Sequence, residues 1–119
     1  MATKEKARQK EIKAYEEAYK KLSELIGIEL GQICEYSYCV VMDPDDKLAG
    51  KVGAYIDTWN QIHYFKFKEK RRWVGIEDSK TRGENPEVYL GRDPLQVLEQ
   101  RAIAVELSEE IPLLRKKRF

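Results

Sequence analysis

The chain has 119 residues, of which 42% are hydrophobic and 36% charged, and its 22 basic and 21 acidic side chains leave a formal net charge of +1. That length supports one domain with its own core, needing no metal or disulfide. The near-zero charge excludes capture of nucleic acid by the field of the whole molecule, so any such binding must come from a local patch.

No apolar run approaches the roughly 20 residues of a membrane-spanning helix. The charged stretch from Met1 to Lys21 has no apolar secretion segment, so an intracellular, cytoplasmic protein without a membrane partner is expected. Abundant Lys, Glu and Arg beside only two Asn give a thermophile-like composition. Cys34 and Cys39 fit no zinc spacing. On one strand they point to opposite faces, and they read as small apolar packing residues.

In chain order, residues 4–26 read as a helix. Ile12, Tyr15, Tyr19, Leu22 and Ile26 recur at alternating spacings of three and four, with the regularity of a coiled-coil seam. The stripe is expected to pack on the protein's own sheet, the other reading being a partner or dimer interface. Gly27 stops the helix, and residues 1–9 read as an arm that frays.

Residues 33–42 read as a strand with Cys34, Tyr36, Tyr38, Val40 and Met42 on the core face. The acidic turn Asp43 to Lys47 lacks the frame of a calcium loop. Residues 51–57 give a second strand, with Val52, Ala54 and Ile56 inward. Thr58 to Gln61 reverse the chain, and residues 62–68 and 71–77 give two more strands. A turn-rich loop spans residues 78–91, with room for a short strand at Val88 to Leu90.

Asp93 caps a last helix, with Pro94 at its first position and Gln96 in capping-box register. Its expected buried stripe is Leu95, Leu98, Ala102 and Val105. Pro112 is expected to end or kink it, Ser108 to cap a short terminal turn, and residues 112–119 to form a basic tail.

The fold expected is α+β: a four-stranded antiparallel meander flanked by an N-terminal and a C-terminal helix packed on one face, α-β-β-β-β-α. The other sheet face is then open. Alternation places Phe65, Phe67, Val74 and Ile76 inward. It leaves Tyr55, Tyr64 and Trp73 outward among Lys51, Lys66, Lys68 and Arg71. Residues 63–82 hold seven basic and three acidic side chains, while residues 31–62 hold two and five, so charge is segregated. Aromatic rings among cations on an open sheet are what single-stranded nucleic acid needs: bases stack and phosphates are neutralised.

Catalytic signals are weak. His63 is the only histidine and falls on the phenylalanine side of its strand. Glu77-Asp78-Ser79-Lys80 at a strand end is the nearest approach to a carboxylate-and-lysine motif of a magnesium-dependent nuclease. The leading expectation is a small non-enzymatic binding protein, without cofactor or metal. It contacts single-stranded nucleic acid through Tyr55, Tyr64, Lys66, Lys68, Arg71 and Trp73 and forms a homo-oligomer, most simply a dimer. A homo-oligomeric adaptor without nucleic acid, and a metal-dependent nuclease, are the alternatives.

Overall fold

The structure, a computed structural model, describes residues 2–29 and 37–117, and the side chains of residues 6–29 and 37–109. Helix α1 covers Ala2–Ile26 and helix α2 covers Pro94–Lys117. Between them lie β1 (Tyr38–Val41), β2 (Val52–Trp59), β3 (Ile62–Phe67), β4 (Val74–Glu77), a 3-10 turn (Asp78–Thr81) and β5 (Val88–Gly91). The α+β class and the two flanking helices are as expected. The strands number five rather than four, in the order β4-β3-β2-β1-β5, all antiparallel. The added strand supplies backbone partners for the free edge of β1, which lies deep in the core.

The helices lie mainly over β1, β2 and β5. Under them Leu22 and Ile26 of α1 and Val97 and Ala104 of α2 pack on Tyr38, Val40, Val52 and Ala54. The opposite face is also closed. Cys39, Val41, Leu48, Phe65, Phe67, Ile76 and Val88 form a second buried cluster. Ile76 and Val88 come from β4 and β5, the two edges of the sheet, so the sheet curls until its edges share one core. All four residues of β1 are consequently buried. A single glycine makes room for this packing. A Cβ on Gly53 would lie 2.9 Å from both the Cys39 sulfur and Phe67 Cζ, its neighbours on either side in the sheet.

Several local expectations are corrected. Of the strand expected over residues 33–42, the described part is Tyr38–Val41, and Cys34 and Tyr36 lie outside the described residues. Strand β2 runs on to Trp59, and the reversal is the pair Asn60 and Gln61, both at positive φ (51° and 63°), as the right-handed twist of a two-residue hairpin favours. The stripe of α1 divides: Leu22 and Ile26 are buried, but Ile12 and Tyr15 are exposed.

In α2 the buried positions among the described side chains are Pro94, Val97 and Ala104, with Leu98 packed beside the last two, while Leu95 and Ala102 are exposed. The inward face is thus turned by about one residue from the expected stripe. Asp93 does cap the helix, accepting from Leu95 N–H at 3.0 Å. The helix continues through Pro112 to Lys117. Ser108 caps nothing, since its hydroxyl donates to the Val105 carbonyl one turn back, at 2.8 Å.

Candidate nucleic-acid interface

The expected open sheet face does not exist across β1 and β2, and the six candidate residues separate. Register decides where each goes. Tyr55 pairs with Phe65, and Ala54 with Lys66. Tyr55 therefore shares the face of Phe65, packs on the second buried cluster, and stacks edge-on against Phe65 at 6.0 Å between ring centroids. Lys66, and with it Tyr64, stands on the other face, the one the helices cover over β1 and β2.

A bulge at Ile56 then shifts β2 by one residue. Beyond it Asp57 pairs with Tyr64, Thr58 with His63 and Trp59 with Ile62. The shift turns Trp59 onto the face of Tyr64, where it is 70% exposed. Sequence alternation alone misses this, because the bulge carries no turn residue to announce it.

The outer face of the β2–β3–β4 end, beyond the helices' main contacts, thus carries Trp59, Ile62, Tyr64 and Lys66. Gly75 of β4 lies beside Tyr64. A Cβ there would come within 3.1 Å of the Tyr64 ring and 2.9 Å of Ile62 Cγ2, so the tyrosine ring leans across the bare backbone of the edge strand. Trp73 stands one position before β4 and is 60% exposed. Carried one step further, the ladder sets it beside Lys66. From the Ile62 level to the Lys66 level is four residues, about 13 Å of strand.

The charge along this row is graded. Asp57 and Glu77 lie at the Trp59 end. Lys66, Lys68, Lys70, Arg71 and Arg72, all exposed, gather at the Trp73 end. Lys66, Lys70, Arg71 and Arg72 make no ion pair among the described residues. The stem of Lys68 passes close to Gly27, just past the end of α1, 3.5 Å from where a Cβ would be. A groove of about 770 Å³ adjoins the basic turn, lined by Lys47, Lys70, Arg71, Arg72 and Trp73, with Asp46 as its one acidic residue, over Leu48 and Val74.

Compared with protein-family models, curated proteins and solved structures, the chain matches none. Its reading rests on its own residues.

A second polar constellation sits on the inner face of the same hairpin. Tyr55 Oη lies 2.7 Å from Thr58 Oγ1, which lies 2.6 Å from His63 Nδ1. On the ring's other side Nε2 lies 2.7 Å from Asp78 Oδ1, and Arg82 reaches Asp78 Oδ2 at 2.6 Å. The carboxylate can only accept, so Nε2 carries the proton. With neutral His63 the chain then runs one way: Tyr55 donates to Thr58, Thr58 to His63, His63 to Asp78. The hydrogen bond from His63 and, after it, the Arg82 guanidinium hold the Asp78 carboxyl below the usual carboxylate range.

Both ring nitrogens are thus engaged and the side chain is only 13% exposed, so the group acts as a pin between the hairpin and the 3-10 turn. Asp78, a candidate metal ligand by sequence, has both oxygens occupied. Among the described residues no group of three or more His, Cys, Asp or Glu side chains stands close enough to hold a metal ion. No helix, among those described, is long and apolar enough to cross a membrane.

Proposed function

We propose that this is a non-enzymatic, cytoplasmic binding protein that contacts single-stranded nucleic acid and works as a homo-oligomer. The contact surface is the basic end of the outer ribbon: Tyr64, Lys66 and Trp73, with Lys70, Arg71 and Arg72 of the β3–β4 turn. The observation that carries this reading is Trp73, a large ring left 60% exposed beside arginines and lysines that make no ion pair among the described residues. An indole in that position offers a stacking surface to any base, and the cations neutralise the phosphates that flank it. Trp59 extends the platform toward a more acidic end and contributes less. Tyr55 and Lys68 serve the fold.

Titration of a fluorescently labelled single-stranded oligonucleotide tests this. Binding is expected at low salt, with affinity falling steeply as salt rises. Trp73→Ala should weaken it by about 1–3 kcal/mol, roughly fivefold to 150-fold. Absence of binding at low ionic strength for both DNA and RNA strands would refute the proposal.

A further inference from the structure

The cations of the basic turn are gathered rather than spread along the ribbon. Lys47, Lys70, Arg71 and Arg72 line one groove of about 770 Å³ with the Trp73 ring, and Asp46 is its one acid. None of these cations makes an ion pair among the described residues. The Asp46 carboxylate already accepts from the Leu48 N–H at 2.8 Å, which fixes its own turn. Leu48 and Val74 supply apolar lining beside the indole. The volume lies within the roughly 300–1,000 Å³ of clefts that seat a small ligand by an apolar wall and a few polar groups.

What adjoins the groove is acidic. Along the ribbon, Asp57 and Glu77 stand at the Trp59 end. Arg82, which lines a cleft there with Glu77, is held by Asp78 at 2.6 Å. The turn that contributes Asp46 and Lys47 also carries Asp43 and Asp45. A strand laid through the groove and on across either neighbour would bring its phosphates to carboxylates, a juxtaposition of like charge that opposes binding.

We propose that the groove takes the phosphorylated end of a nucleic-acid strand. The terminal base stacks on Trp73 against Leu48 and Val74, and the terminal phosphomonoester sits among Lys47, Lys70, Arg71 and Arg72. This rests on the single-strand reading above and narrows it from any stretch of strand to an end. A terminal phosphomonoester carries nearly two charges near neutral pH and offers three free oxygens, whereas a phosphodiester within a strand carries a single charge. Arginine forks meet such a group with paired hydrogen bonds. A compact cluster of cations with one committed acid suits the dianion, and an internal phosphate would leave most of that charge unanswered.

Fluorescence anisotropy at one fixed salt concentration tests it, on one short single strand carrying an internal fluorophore. The strand bears a phosphate on one end, on the opposite end, on neither, or is closed into a circle. At least one phosphorylated form should bind about tenfold tighter than the unphosphorylated and circular forms, and its identity tells which end is held. An unphosphorylated strand one nucleotide longer, with its added backbone charge, should gain far less. Arg71→Gln and Arg72→Gln, both at exposed positions, should each remove most of the preference with unchanged circular dichroism. Lys66→Gln, outside the groove lining, should weaken all forms alike and keep it. A circle that binds as tightly as the phosphorylated strand overturns the inference and leaves the single-strand reading standing. Absence of binding by every form overturns both. A free nucleoside monophosphate that competes as well as the phosphorylated strand also overturns it, since the site would then serve free nucleotides.

Discussion

His63 Nε2 lies 2.7 Å from the Asp78 carboxylate, joining the third strand to the 3-10 turn that leads into the fifth. The pair fastens the hairpin carrying Trp59 and Tyr64 to the element that bridges the sheet's two edges. Loss of the ring removes two hydrogen bonds at a nearly buried position. His63→Ala should therefore destabilise the protein by about 1–3 kcal/mol in urea unfolding, without weakening oligonucleotide binding to the same degree.

The pH dependence of that pin has a definite sign. The carboxyl of Asp78 titrates below its ordinary value in the folded state, through His63 first and Arg82 next. Its contribution to stability is therefore full above the ordinary carboxylate range. It fades as the pH falls through the lowered folded value. Wild type should exceed Asp78→Asn in unfolding midpoint at neutral pH, and the difference should shrink in acid. A difference that grew on acidification would contradict the assignment.

The basic turn and the inner face should separate by mutation. Lys70→Ala, Arg71→Ala and Arg72→Ala should each lower the salt dependence of oligonucleotide affinity by about one unit of slope and leave unfolding unchanged. Tyr55→Ala should do the reverse, since its ring packs on Phe65 and reaches no outer surface. Measuring affinity and urea midpoint on the same variants resolves the two classes.

Gly53→Ala probes the curled core. The added methyl would meet sulfur and ring at 2.9 Å within a buried cluster. Overpacking of this kind costs about 1–3 kcal/mol. The loss should appear as a lower unfolding midpoint. Larger than glycine is tolerated there only if Phe67 moves.

Cys39 should be inert in the folded protein. Burial pushes its thiol well above the usual cysteine range, so little thiolate forms. Alkylation at mildly alkaline pH, followed by peptide mass spectrometry, should modify Cys39 only when denaturant is present.

Much of the fold was legible in local patterns. The heptad-like spacing marked α1, Asp93 with Pro94 marked the start of α2, and period-two alternation marked β2 and β3. The candidate site was legible only in part. Trp73, Arg71, Tyr64 and Lys66 emerged because charge and alternation both point outward there. Tyr55 was misplaced because a meander with one wet face was assumed, whereas Phe65 and Phe67 face a second core. Trp59 was missed because the reversal was expected to begin at Thr58, whereas β2 runs through a bulge as far as Trp59. The His63 pin joins residues fifteen apart through a turn whose path no local pattern specifies.

By itself, then, the sequence determined the two helices and four of the five strands, and that aromatic and basic residues concentrate between Thr58 and Ile76, because propensity, capping and alternation act over a few residues. Only the tertiary structure decided which side of the sheet each of them serves. Inside and outside are fixed by the register between strands, by the bulge at Ile56 and by the curl that brings Ile76 of β4 and Val88 of β5 into one core. Those are relations between distant parts of the chain, settled by where apolar surface can be buried together.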